Sequence, residues 1–364
     1  MADSSPLGVA VWGTGNMGRA AIRVVDAHPD LALDAVIVAN PEKVGRDAGE
    51  LAGMDRELGV AATDDADAVL AAGIDAVAYT ASGDIRPDDA VADLCRALAA
   101  GAVVVTPAVY PLYDPTNAPP EVLGPVRAAI DAGGGRLFTS GIDPGWGNDV
   151  LPVLLSGVAG TIDEVRCQEI FDYSTYDQPD SVRFLVGMGQ PMDYEPPMVM
   201  AGVPSMVWGG QVRLIARALG AELDELRETL ERRPLDHDVH NAMGTFEAGT
   251  QGALRFEVQG IVDGEARIVV EHVTRIGPDV APDWPTPPDG GAGAHLVIIE
   301  GDPRISVSVE ATAEGGSRAS GGNATAAARL VNAVPWLHAQ APGTYDALDV
   351  PLTPATGKLG RSTR

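Results

Sequence analysis

Gly13, Gly15 and Gly18, in the run GTGNMG, have the spacing of a turn built to lie against a diphosphate. The first glycine permits the tight turn. The second leaves room for a pyrophosphate on the backbone, and the third lets a helix sit close on a strand. Thr14, Asn16 and Met17 fill out the turn. Met17, Ala21, Val24 and Val25 then recur at helical spacing, so free N–H groups and the positive end of a helix dipole would face the phosphates. Leu7 to Trp12 has strand length, and Leu33 to Ala39 supplies a second strand after the helix. That strand, turn, helix and strand context is what turns a GxGxxG pattern into a dinucleotide site, for NAD or NADP.

The choice between the two cofactors is written further along. Asn40 stands 22 residues beyond Gly18, where an NAD-selective fold often carries Asp or Glu for the ribose hydroxyls. Neutral Asn40 would not repel a ribose phosphate, and Lys43 and Arg46 in PEKVGR could contact it, against the opposing charge of Glu42. The expected cofactor is NADP, with NAD as the alternative. Thr80, Ala81 and Ser82 close the strand Ile74 to Thr80 with side chains small enough for a cofactor to pass close. Thr106 and Pro107 open TPAVYPLYDP, which is expected beside the nicotinamide.

Hydride transfer asks the protein mainly to hold a nicotinamide against an electrophilic carbon. A ketone that accepts hydride becomes an alkoxide and needs a proton, whereas an iminium ends as a neutral amine. Tyr110, Tyr113, Tyr173 and Tyr176 are the candidate donors, and Tyr173 with Tyr176 in FDYSTY are preferred because they follow a strand of the second half. Asp143 and Trp146 in GIDPGWGND are read as substrate-pocket residues. The six histidines are scattered and read as surface or sheet residues. His237 and His240 form an HxxH without a third ligand in view, so no metal is expected.

These residues need a scaffold, and the pattern predicts an α/β chain. A Rossmann-type doubly wound parallel sheet is expected over 1–143, and an α+β substrate and oligomerisation domain with a mostly antiparallel open sheet over 144–321. A helix and tail over 322–364 are expected to return to the first domain, with Asn323 as a cap of NATAAARLVNAVP. In the second domain, helices are expected after Pro204 and again through Leu223, Leu226 and Leu230, followed by a meander over 235–312 with a hairpin at Asp263-Gly264. MGQPMDYEPPMVMAGVP reads as a loop or lid over a pocket.

A formal net charge of −26 in 364 residues argues against nucleic acid and anionic membranes as partners. No run of about 18 apolar residues is present, and two isolated cysteines, Cys95 and Cys167, fit neither a disulfide framework nor a zinc site. A cytoplasmic protein acting on a small molecule is expected, as a homo-oligomer with a dimer first.

GTGNMG, NPEKVGRDAGELAG, SGIDPGW, APDWP and NATAAARLVNAVP together resemble the dihydrodipicolinate reductase-like oxidoreductases, in the branch of 2,4-diaminopentanoate dehydrogenase and the native amine dehydrogenases. The resemblance spans nearly the whole chain and implies NAD(P)H-dependent reduction of C=O or C=N bonds. The adjacent His-His pair and nearby Lys of true dihydrodipicolinate reductases are absent. The resemblance also places a glutamate of the amine dehydrogenases at Val109 or Tyr110, two residues then assigned to substrate binding, and no carboxylate stands there. Asp114 and Asp143 are the displaced acids considered for it. A nucleotide-binding sensor without turnover is the alternative function.

Overall fold

The computed structural model describes residues 5–83, 86–176, 178–313 and 316–360. In chain order the first stretch carries β1 (Leu7–Trp12), α1 (Asn16–Asp26), β2 (Leu31–Ile37), α2 (Ala48–Ala52), β3 (Ala62–Thr63), α3 (Ala66–Ala71), β4 (Ala76–Tyr79), α4 (Pro87–Ala99), β5 (Val103–Thr106), α5 (Pro120–Gly133) and β6 (Arg136–Thr139). Then follow α6 (Val150–Ser156), β7 (Thr161–Asp172), α7 (Val203–Leu219), β8 (Glu225–Pro234), β9 (Val239–Asn241), β10 (Gly244–Phe246), β11 (Gln251–Val262), β12 (Glu265–Arg275), β13 (Gly293–Asp302) and β14 (Ile305–Val309). The chain closes with α8 (Arg318–His338) and β15 (Gly343–Tyr345). It divides into two compact units, Met1–Ile142 with Asn323–Arg364, and Asp143–Gly322.

The first unit is a seven-stranded sheet in the order β15-β6-β5-β4-β1-β2-β3, parallel throughout. The order reverses between β1 and β4, the point at which doubly wound sheets bind nucleotides at their carboxyl ends. Its strands are apolar on both sides because both faces are covered. Val9, Val11, Ile22, Val25, Val36 and Phe138 share one core with Leu330, Val331, Val334 and Leu337 of α8, while Val77, Tyr79, Leu94, Leu98, Val104 and Leu137 build the other.

The second unit is a six-stranded sheet in the order β14-β13-β7-β12-β11-β8, in which only β7 with β12 runs parallel. Asp263 and Gly264, both at positive φ, form the tight turn between β11 and β12. On one face α7 lies against β8, β11 and β12, and a side chain at Gly260 would meet Val212 of that helix at 2.6 Å.

Two expectations fail locally. Residues 225–234 are the edge strand β8 and no helix. Leu226 and Leu230, four apart, fit either period, but they stand opposite Gly260 and Phe256 on β11, whose ladder needs a partner. The last helix begins at Arg318, so Asn323 lies inside it and is no cap. The tail, which lacks periodicity, supplies β15 beside β6. The methionine- and proline-rich loop is tied to the second sheet: Gly189 N donates to Gln251 O, Gln251 N to Gln190 O, and Arg232 to the Met192 carbonyl at 3.0 Å.

Candidate active site

In the first unit the glycine turn has the shape of a cradle. Gly13 sits at φ +105°, where a Cβ would strike the backbone of Ala81, and a Cβ on Gly18 would lie 2.0 Å from the Gly13 carbonyl oxygen. A Cβ on Gly15 would meet nothing within 4 Å. Two of the three glycines are therefore demanded by the fold, and the third opens onto free space. Gly15 caps α1 without a side-chain hydrogen bond, and the first amide to close on the helix is Arg19 N, on the Gly15 carbonyl. The amides of Asn16, Met17 and Gly18 thus point outward from the first turn, as a diphosphate requires. The residues present fit an NAD(P) diphosphate.

Thr14 is buried in the turn, and its Oγ1 accepts from Lys43 Nζ at 3.0 Å. This brings Lys43 onto the cradle from a short turn, Pro41–Lys43, capped by Asn40, whose side chain accepts from Glu42 N. Arg46 is instead held by Glu50 at 2.8 Å on the surface. Thr80 ties its own strand to the turn, donating from Oγ1 to the carbonyls of Trp12 and Gly13, both at 3.1 Å, with Ala81 half-buried and Ser82 exposed beyond it. Thr106 is buried, with Oγ1 accepting from Ala108 N. The Pro107 carbonyl accepts from the Tyr113 hydroxyl at 3.2 Å. Val109 is buried, and half-buried Tyr110 stacks on Tyr113 at 6.4 Å. Asp114, buried nearby, is engaged with Asn117 at 2.8 Å.

The second unit contains a constellation that no motif announces. On the face of its sheet carrying Phe256, three ionisable side chains stand in register on adjacent strands: His295 of β13 opposite Glu169 of β7, and Glu169 opposite His272 of β12. Phe256 of β11 extends the row beside His272. His295 Nε2 lies 3.2 Å from Glu169 Oε2. Asp143, whose side chain is 3% exposed, meets the row from the GIDPGW loop, with Oδ1 at 3.0 Å from His272 Nε2 and 2.6 Å from the indole N–H of Trp208. His272 is held between Phe256, stacked at 4.6 Å, and Trp208 at 4.4 Å.

Burial disfavours both charges of the Asp143 and His272 pair, yet their mutual attraction and hydrogen bond outweigh it. The Asp143 carboxyl is held below the usual carboxylate range and the His272 imidazole above its ordinary value. The pair is an ion pair, with Glu169 and His295 adding to it. Tyr173 begins a short turn after β7 and stacks on Tyr176 at 4.8 Å. Burial pushes its phenol well above its ordinary value, followed by the negative charge of Glu169, while a hydrogen bond with Thr274 works the other way. The predicted Asp143 and Tyr173 therefore meet the unpredicted Glu169 and His272. Trp146 is half-buried in the same loop as Asp143.

Sequence reasoning passed over Glu169, His272 and His295. The available signal was ionisable residues set inside apolar strands, as in IVVEHVTRI and AHLVII. Asp143, Glu169 and His272 present ligand atoms within 4.8 Å of one another and could hold a cation, although two N–H donors already occupy Asp143 Oδ1. The HxxH residues are spent separately, His237 on Asp279 at 3.4 Å and His240 on Thr245 at 3.0 Å.

Comparison with known proteins now decides the lineage. Residues 148–362 match the 2,4-diaminopentanoate dehydrogenase C-terminal domain, and residues 7–86 match the dihydrodipicolinate reductase N-terminus. Over 356 residues, 98% of this chain and 99% of the relative, the sequence is 69% identical to an amine dehydrogenase of Streptomyces virginiae. The chain belongs to the amine dehydrogenase and 2,4-diaminopentanoate dehydrogenase family. A 2,4-diaminopentanoate dehydrogenase of Acetoanaerobium sticklandii is 23% identical over 64% of this chain and 62% of its own. The solved structure of an amine dehydrogenase from Mycobacterium smegmatis shares the fold, with a TM-score of 0.76 over 96% of this chain and 97% of its own at 20% identity. Members of this family are NAD(P)-dependent oxidoreductases, and this chain is an enzyme that moves hydride to or from a small carbonyl, imine or amine. Nothing in the comparisons favours a sensor without turnover. Among the described residues no helix is long and apolar enough to cross a membrane.

Proposed function

We propose that this enzyme is an amine dehydrogenase that interconverts a small amine with its carbonyl and ammonia, using NADP in preference to NAD. The 69% identity to an amine dehydrogenase along nearly the entire chain carries this reading. The chemistry of the second unit supports it. Two carboxyl groups, Asp143 and Glu169, meet beside His272, a set of acceptors suited to a substrate ammonium, and among the described residues no Lys or Arg pairs with any of the three. With no Lys or Arg in the row to pair with a substrate carboxylate, the arrangement points to amines without one.

When bound, NAD(P) supplies or accepts the hydride. Gly13, Thr14, Gly15, Asn16, Met17 and Gly18 hold its diphosphate, with Asn40, Lys43 and Arg46 on the side of the ribose phosphate. Thr80, Ala81, Ser82, Thr106 and Pro107 line its path. Val109, Tyr110, Asp143 and Trp146 bound the substrate, and Tyr173 with Tyr176 orients its polar atom. A second copy of the chain is the proposed partner, docked through the open sheet, and the free Cys95 and Cys167 fit a reducing cytoplasm.

The test is NADPH and NADH oxidation against a panel of aldehydes and ketones, with and without ammonia, together with NAD(P)⁺ reduction by the matching amines. Turnover that requires ammonia and is faster with NADPH is expected. Equal rates without ammonia would make the enzyme a carbonyl reductase.

A further inference from the structure

Resting on the amine dehydrogenase reading, we propose that Glu169 is the base of the reaction, taking the proton of the substrate ammonium and later that of the attacking water. An alkylammonium has no lone pair with which to expel hydride from its carbon, so a neighbouring group must first deprotonate it. The site must therefore contain a base that is ionised and reachable.

The side chains around the row exclude one another in turn. Asp143 Oδ1 is taken by Trp208 and His272, and its charge is matched by the imidazolium beside it. His272 has its Nε2 committed to Asp143, whose negative charge raises the imidazole above its ordinary value against the pull of burial. Tyr173 keeps its proton because burial raises its phenol, so it donates and does not accept. Glu169 differs from all of these. Its one hydrogen-bond partner among the described residues is His295, against two for Asp143, and its side chain is 17% exposed against 3% for Asp143. Solvent can thus relieve it of the proton it takes. The groups facing it are His295 from β13, His272 from β12, Asp143 from the loop and Tyr173 from the turn after β7.

The steps balance. The Glu169 carboxylate takes one proton from the substrate ammonium, leaving a neutral primary amine, and passes that proton to solvent. The electron pair of the C–H bond on the amine-bearing carbon leaves as hydride to NAD(P)⁺, and the nitrogen lone pair forms the C=N bond of an iminium. Water adds to the iminium carbon as Glu169 takes its proton, then returns it to nitrogen. Ammonia leaves as C=O forms, and the hydroxyl proton follows it. In total, the alkylammonium, NAD(P)⁺ and water give the carbonyl compound, ammonium, NAD(P)H and one proton.

Amine oxidation by wild type, Glu169→Gln and Glu169→Asp is compared across pH, with NADPH affinity and far-UV circular dichroism as controls. Glu169→Gln is expected to lose about 100-fold or more in kcat, to bind NADPH as wild type does, and to lose the acid limb, which Glu169→Asp retains. Wild-type log kcat should fall by one per pH unit on the acid side; a profile without that limb overturns the proposal even where the variants do not fold. Glu169→Gln within about threefold of an active wild type, limb intact, overturns it and leaves the amine dehydrogenase reading standing. A wild type inactive on amines, and on carbonyls with ammonia, overturns both. A rate abolished by chelator and restored by zinc assigns the row to a metal and also overturns it.

Discussion

Asp143 and His272 lie 129 positions apart in sequence and 3.0 Å apart in space, buried together under Trp208. A buried ion pair of this kind is costly to break from one side, because the survivor keeps a charge without a partner. His272→Gln should destabilise the protein by about 3–5 kcal/mol at pH 6. The pH dependence has a definite sign. The Asp143 pKa is lowered by folding, so its share of the stability is present above about 4 and lost as pH falls through the folded value. The His272 pKa is raised, so its share is complete below about 6.5 and lost as pH rises through the folded value. The gap between wild type and variant, read from urea melts, should be widest from about pH 4 to 6.5 and should narrow above that. A gap independent of pH would mean the pair is not ionised.

Gly15 and Gly18 separate binding from folding. Gly15→Ala adds a methyl where nothing lies within 4 Å, so melting should stay within about 2 °C of wild type. The same methyl lies where the diphosphate must approach, and calorimetry should show NADPH affinity reduced at least about tenfold. Gly18→Ala drives its Cβ toward the Gly13 carbonyl at 2.0 Å and should lower stability by about 2 kcal/mol or more before any ligand is added. Equal effects of the two substitutions on stability would refute the division of labour.

The cradle was readable because it is local. A strand, a glycine turn and a helix that follow one another leave their period and spacing in one short run, and Gly13 to Gly18 carry it. The parallel sheet around it was readable for the same reason. The row of His295, Glu169 and His272 is non-local: it exists only because β13 and β12 flank β7, and a strand order is not written in any single strand. Asp143 was named from its loop, but its partner could not be. The misread strand β8 marks the same limit, since Leu226 and Leu230 satisfy a helix as well as a strand until β11 is placed beside them.

Lys43 and Arg46, three residues apart, should behave differently toward the two cofactors. Lys43 Nζ reaches Thr14 in the turn, where it can exchange that contact for a ribose phosphate, whereas Arg46 is paired with Glu50 at the surface. Lys43→Ala should weaken NADPH about 10- to 100-fold, the worth of one charge-assisted hydrogen bond, and leave NADH within about threefold. Arg46→Ala should change either cofactor by less than about threefold. Equal losses for NADPH and NADH in Lys43→Ala would show that the lysine supports the turn and not the phosphate.

Glu271 belongs to the opposite face of the second sheet and tests whether the charges there are structural. It is wholly buried, accepts from Arg166 at 2.6 Å, Arg255 at 2.8 Å and Gln168 at 2.9 Å, and these partners hold its carboxyl below the usual range in spite of burial. Glu271→Ala leaves two guanidinium groups without that acceptor and opens a cavity between them, and should cost about 3–5 kcal/mol. Because the folded pKa is lowered, the stabilisation is present above about 4.5 and lost as pH falls through the folded value, so wild type and variant should converge in acid. The neighbouring His272 points to the other face, and amine turnover by the folded fraction of Glu271→Ala should remain within about threefold of wild type, measured below its melting transition. A larger loss of rate in fully folded protein would tie this network to the chemistry across the sheet.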